Sequence, residues 1–186
     1  MLAHRVSQGF TLVELIITVA IAAIVLGLGV PGFQQLIRAN RTVTEVNRLV
    51  TALSLARSEA VKRNATVAMC RASGSNCSPA PGDTWETGWV VFTDNVIQNG
   101  TIDAGEQTLQ VYERMPQGYT LRPLGPTFKD WIAFQPTGQM LGSGPDPDAT
   151  DSFRVCDDTQ AAAERRLIQV NLVGRAYASP SNGVCQ

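Results

Sequence analysis

Few residues in this chain could do chemistry, and their positions restrict what that chemistry could be. The 186 residues include one histidine, His4, and four cysteines, Cys70, Cys77, Cys156 and Cys185. His4 lies in a short polar opening segment, MLAHRVSQG, so beyond that segment there is no imidazole for a catalytic triad, a proton shuttle or a metal site. The cysteine spacings match no CxxC zinc or redox pair. Only Lys62 and Lys129 could serve a serine nucleophile as a lysine base, and neither stands beside a nucleophile motif, so an enzyme is not expected. Asp94, Asn95, Asn99, Asp103 and Glu106 gather oxygen ligands in one loop, but their spacing departs from the calcium-loop pattern and predicts a solvated Asx-rich turn. Pro145-Asp146-Pro147-Asp148 reads as a stiff acidic surface loop. No metal and no cofactor is expected. A formal net charge of -1 gives the whole chain no pull toward nucleic acid or anionic lipid, so any such binding must be local.

Glu14 is the carboxylate that most needs explaining. It stands at the start of an apolar run, Leu15 to Gly32 interrupted by Thr18, which with Phe10 to Leu12 reaches the length of a bilayer-spanning helix. An ionised carboxylate at mid-bilayer costs about 2.5–3.5 kcal/mol on insertion scales, less near the interface. A secretory signal would need a small-residue cleavage site after the run, and Gly27 to Gly32 offers only poor versions of one. A cut between Gly9 and Phe10 supplies what Glu14 lacks. The new α-amine would lie four residues before the carboxylate, one helical turn away on the same or a neighbouring helix.

Gly9-Phe10-Thr11-Leu12-Val13-Glu14 resembles the class III leader of type IV pilins and pseudopilins, and Pro31 fits the same pattern. The resemblance implies that a prepilin peptidase cuts after Gly9 and N-methylates Phe10. It further implies that Glu14 neutralises the terminal amine of an adjacent subunit and sets register, with Phe10, Glu14 and Pro31 as the assembly residues. The chain would sit in the inner membrane by a single pass, head in the periplasm, before joining a pilus at or near its tip.

The elements that must position these residues follow from periodicity. Val43, Val46, Val50, Leu53, Ala56 and Ala60 recur at helical spacing, with Arg41, Glu45, Arg48, Arg57, Glu59 and Lys62 mostly off the stripe, so the helix continues to about Asn64. Pro31 with Gly27, Gly29 and Gly32 predicts a kink or a local melt. Strands are predicted at 66–70, 88–93, 108–114, 119–122, 131–134, 152–156 and 166–173, paired antiparallel because the connections are too short for helical crossovers. Turn-rich stretches lie at 73–83, 95–105 and 142–151. The fold class is α+β: a hydrophobic stem helix continuing into an amphipathic half, packed on an antiparallel, two-sheet, β-sandwich-like head. The domains are a leader at 1–9, a stem at 10–41 and a head at 42–186.

Four cysteines after an export signal predict disulfides in an oxidising compartment. Three pairings are open. Cys70 with Cys77 is favoured because it closes a short glycine-containing loop, and Cys156 with Cys185 because it fastens a tail that would otherwise fray.

The head resembles more narrowly the FimT/FimU minor pilins and the secretion pseudopilin GspH. The stretches that carry this are Ala56-Arg57-Ser58-Glu59-Ala60, Cys70-Arg71, Gly88-Trp89-Val90-Val91-Phe92, Phe134-Gln135-Pro136-Thr137-Gly138 and Gly174-Arg175. The resemblance implies a structural subunit of a pilus initiation or tip complex, supporting pilus assembly, twitching motility, adhesion or DNA uptake. Its implied partners are other minor pilins, the major pilin, a prepilin peptidase and the inner-membrane assembly platform. Some relatives bind DNA through Gly-Arg-x-Arg during natural transformation. Gly174-Arg175-Ala176-Tyr177 lacks the second arginine, leaving Arg165, Arg166 and Arg175 as a small basic face with Tyr177 available for stacking, and DNA as an alternative partner. A type II secretion pseudopilin is the other alternative.

Overall fold

The computed structural model describes residues 10–77, 84–125, 128–142, 152–157 and 165–185. The expected loop at Pro145 to Asp148 lies outside them. The chain divides into two units, one reaching Ala39 and one from Asn40 onward.

In the first unit the apolar run folds as expected into helix, the opening part of α1 (Leu12–Arg63). This helix is long and apolar enough to cross a membrane, and none of its most apolar window is buried by protein. It remains helical through Gly27, Gly29, Pro31 and Gly32, so the local melt read from these residues is absent. A proline deletes a single intrahelical bond, and the intact turns on either side hold the rest of the ladder.

In the second unit the remaining part of α1 turns one face inward. Val46, Leu49, Ala52, Leu53, Ala56 and Ala60 are buried. Three alanines on this face let the backbone approach closely, while leucine supplies the apolar area. The expected stripe is rotated slightly: Val43 stays 42% exposed and Val50 is only partly buried, while Leu49 and Ala52 take core positions. Glu45, expected off the stripe, is buried and paired with Arg48 at 2.8 Å. Arg48 in turn lies over the Trp89 ring at 5.0 Å and donates to the Glu113 carbonyl, which explains how a carboxylate survives there.

Among the described residues, ten strands form two antiparallel sheets. The first runs β4 (Thr108–Tyr112), β3 (Trp89–Thr93), β1 (Val67–Ser73), β6 (Trp131–Phe134), β7 (Met140–Gly142), with β2 (Asn76–Cys77) hairpinned onto β1. The second runs β10 (Ala176–Pro180), β9 (Arg166–Val170), β8 (Ser152–Asp157), β5 (Tyr119–Leu124). Alternation sends Val67, Met69, Trp89, Val91, Ile132 and Phe134 of the first sheet, and Leu121, Phe153, Val155 and Ile168 of the second, into one core with the helix. The other face of the first sheet is also covered: Cys70, Val90, Phe92 and Ala133 pack beneath Ile102 and Cys77. The sheets are joined at a 3-10 turn (Trp85–Thr87), where the Trp85 indole donates to the Phe128 carbonyl at 3.0 Å and meets Phe153 edge-on. Glu86 there accepts from the Leu121 amide at 2.7 Å and pairs with Arg122.

Strands β2, β7 and β10 are absent from the sequence-based expectation, and β9 stops at Val170 rather than Val173 because Asn171 to Gly174 make a turn closed by Gly174 N–H to Asn171 O at 2.7 Å.

Ala56 has no exposed surface in this face, so Ala56→Leu should cost about 1–3 kcal/mol through overpacking, read as a lower denaturation midpoint with an unchanged slope. An unchanged midpoint would mean that the helix face is not closely packed.

Candidate functional site

At the N-terminal end, Thr11 precedes the first helical residue and its Oγ1 accepts from the Glu14 amide at 3.2 Å, the N-cap to N3 bond of a capping box. Glu14 is thereby fixed at the third helical position, and its carboxylate meets no partner among the described residues. Phe10 is 83% exposed. The capping role of Thr11 went unread in the sequence, although Thr-x-x-Glu before an apolar run is its signature. Gly9 lies outside the described residues, and Pro31 sits within α1.

Both expected disulfides form, Cys70–Cys77 and Cys156–Cys185. The second ties down the tail together with Arg154 Nη1 to Val184 O at 2.5 Å, Arg165 Nη1 to Gly183 O at 3.0 Å and Ser181 N–H to Arg165 O at 3.1 Å. Arg154 is a tail anchor that sequence reasoning missed.

The three arginines expected to share a basic face are not brought together. Arg166 opens β9 opposite Pro180, with Arg165 just before it, whereas Arg175 follows the turn at the other end of the hairpin. Five strand residues at about 3.3 Å each separate the two places. Arg165 and Arg166 are engaged at the tail end, Arg166 Nη1 donating to Arg165 O at 3.0 Å. Arg175 is exposed; its amide donates to Asn171 Oδ1 at 2.8 Å, and its side chain meets no partner among the described residues.

Arg175 instead joins residues of α1. A groove of about 600 Å³ lies between Ser54, Arg57, Ser58, Val61 and Lys62 on the helix and Gly174 to Ala176 on the turn. Its fixed point is Arg57, whose Nε donates to the Gly138 carbonyl at 3.2 Å. Gly138 and Gly174 hold φ of 80° and 77°, and a Cβ on Gly174 would collide with the Gly138 carbonyl. Three stretches far apart in sequence, around Arg57, Gly138 and Gly174, therefore meet at one point. In sequence, Arg57 and Lys62 are polar helix positions, Arg57 within a stretch that carries the family resemblance and Lys62 a lysine with no nucleophile motif beside it, and nothing there joins them to Arg175.

The oxygen-rich loop is more closed than expected. Asp94 is fully buried rather than solvated, and its two oxygens accept from Asn99 N–H at 3.3 Å and Gly100 N–H at 3.0 Å. Gly100 lies so close to the Trp131 ring that a Cβ would overlap it. Asn99 Nδ2 donates to Asp103 at 3.0 Å, and Glu106 accepts from Val96 and Asp103 amides at 3.1 and 2.9 Å. Burial pushes the Asp94 carboxyl up to about 6, against the lowering from the two amides and with a further push from Glu106 and Asp103.

Residues 45–174 match the family model described as Type II transport protein GspH, and residues 4–30 match the prokaryotic N-terminal methylation motif. Two crystal structures of the Pseudomonas aeruginosa type IV minor pilin FimU share the fold at 18% identity. One has TM-score 0.55, with 79% of this chain and 94% of that one covered; the other has 0.51, with 77% and 96%. None of the curated proteins matches this chain.

The raised Asp94 pKa fixes the sign of a pH effect. The folded head holds this proton to about pH 6 and the unfolded chain only to about 4, so this contribution is full at acid pH and is lost as pH rises through 4 to 6. Compared with Asp94→Asn, the wild type should lose stability across that window, read by denaturation at several pH values; a constant difference would rule out the buried carboxyl as its source. For the tail, Cys185→Ser should cost about 3–4 kcal/mol in the chain-entropy model, read in the same experiment against reduced and oxidised protein.

Proposed function

We propose that this chain, which belongs to the GspH family of pilin-like proteins, is a minor type IV pilin: a structural subunit of the pilus initiation or tip complex, supporting pilus assembly. The observation that carries the reading is Glu14, a lone carboxylate held at the third position of an exposed apolar helix, one turn from Phe10. Cleavage after Gly9 would place a cationic amine at Phe10, and the two charges pair best where water is scarce. A subunit arriving in a growing filament would offer its amine to a neighbour's Glu14, or its Glu14 to a neighbour's amine, so that correct register removes two charges from lipid at once.

The role is structural, with processing and energy supplied by other components: a prepilin peptidase to cut and N-methylate, and an inner-membrane platform to extract the chain. Other minor pilins and the major pilin are the partners of the stem. The head would face the periplasm before assembly, which suits its two disulfides. Twitching motility, adhesion or DNA uptake would be consequences of the filament. We favour the pilus over a secretion pseudopilus because the disulfide-tied tail suits a head exposed outside the cell. A DNA-receptor reading is weakened because Arg165 and Arg166 lie at one end of the β9–β10 hairpin and Arg175 at the other.

Glu14→Ala should leave membrane insertion and leader cleavage intact while reducing recovery of the subunit in sheared filaments about tenfold or more, by immunoblot of filament and membrane fractions. Normal incorporation of that variant would defeat the assembly reading.

A further inference from the structure

We infer that the Arg57–Lys62–Arg175 groove is a docking site for an acidic protein segment, in which glutamate or aspartate is flanked by apolar side chains, contributed by another subunit of the same assembly. That the segment belongs to another subunit rests on the pilus reading; the carboxylate chemistry does not.

The first reason is preorganisation. Arg57 spends one donor, Nε, on Gly138 O, and two left-handed glycines close around it. Its two terminal nitrogens make no hydrogen bond among the described residues. A guanidinium fixed at its base with its fork open presents a bidentate receptor for a carboxylate, and little side-chain entropy remains to be lost on binding. The second reason is charge. Lys62 lines the same groove, engaged only in an exposed pair with Glu59 at 3.4 Å, and Arg175 closes the opposite side with its side chain unengaged. Exposed pairs of that kind hold a lysine by about 0–1 kcal/mol, so Lys62 can turn to an incoming anion.

The third reason separates a peptide from a nucleic acid. Val61, in the groove, is 53% exposed, and the turn that carries Arg175 also presents Leu172 and Val173, at 49% and 58% exposure. A purely phosphate-binding surface gains nothing from apolar groups exposed beside its cations, whereas a segment of alternating acidic and apolar side chains satisfies both.

The test uses the full chain in a zwitterionic detergent and a short, end-capped, fluorescent peptide alternating valine and glutamate, followed by anisotropy. The matching valine–glutamine peptide and a short DNA duplex are run beside it. The expected result is binding of the glutamate peptide alone, weakened at least about tenfold by Arg57→Gln, and weakened also by Arg57→Lys, which keeps the charge and loses the fork. Because Arg57 also braces two turns, the pair Lys62→Gln and Arg175→Gln must weaken binding with circular dichroism and thermal midpoint unchanged. Equal binding of the glutamine peptide, no binding of either peptide by folded protein, or duplex binding that is tighter and depends on the same three residues would each overturn the proposal. Glu14→Ala protein should bind the glutamate peptide as wild type does, so failure at the groove and failure of the pilus reading remain distinguishable.

Discussion

One helix serves two solvents, and the rest of the structure follows from how its sequence divides between them. In its opening part α1 is apolar on nearly every side, and none of its most apolar window is buried by protein; from Asn40 it is amphipathic, and its inward face is a seam of alanines and leucines. A stem for lipid needs apolar side chains all round because the bilayer offers no polar partner. A core helix needs only one apolar face, and the alanines on it decide how near the sheets can come. Ala52, Ala56 and Ala60 share one core with Trp89, Phe134 and Phe153, so most of the bulk sits on the sheets while Leu49 and Leu53 supply it on the helix. At about 25 cal/mol per Å² of apolar area, each of those fully buried aromatics contributes several kcal/mol to the core that the helix and both sheets share.

The polar links are fewer, and each closes one gap between elements that packing leaves open. Trp85 and Glu86 stitch the two sheets; Arg48 covers Trp89 and neutralises the buried Glu45; Arg57 bridges the helix to the Gly138 turn, against which Gly174 packs. Arginine suits the last two places, because a planar cation can donate sideways to a carbonyl, and at Arg48 its face also rests on a ring. The links differ in what remains over. Arg48 and Arg122 pair with carboxylates inside the head, while Arg57 holds a carbonyl and keeps its fork for something else.

Much of this was legible in sequence, for physical reasons that also mark where legibility stops. The stem shows as a long apolar run, the amphipathic half and seven strands show by periodicity, and the two disulfides follow from a short loop and a loose tail. Strands β2 and β7 are too short for a period to show, and β10, Ala-Tyr-Ala-Ser-Pro, has no alternation because neither of its faces is deeply buried. Asp94 read as a solvated loop residue because burial of a turn depends on what lies across from it, here Trp131 against Gly100, more than thirty positions away in sequence. Arg165, Arg166 and Arg175 looked adjacent because they fall within eleven positions of one another, but a hairpin sends near neighbours to opposite ends. The same hairpin brings Arg175 to Arg57, more than a hundred positions earlier, which no local pattern could reveal.

Under the proposed role, the Thr11 cap and the Glu14 charge divide two duties at the helix start. An amide unsatisfied at a helix start costs free energy wherever water is scarce, so Thr11 must cap the turn, and the cap fixes the third position where Glu14 stands. The positive end of the helix dipole then lowers the cost of the carboxylate, but by about 0.3–1 kcal/mol, against about 2.5–3.5 kcal/mol for a charge at mid-bilayer. The cap therefore positions the charge without neutralising it. What remains unbalanced is a preference for a cation at that depth, and in a chain cut after Gly9 the nearest source is an N-terminal amine on the same or an adjoining helix. A stem that is marginally uncomfortable alone and comfortable beside its neighbour can wait in the membrane as a monomer and still favour the filament.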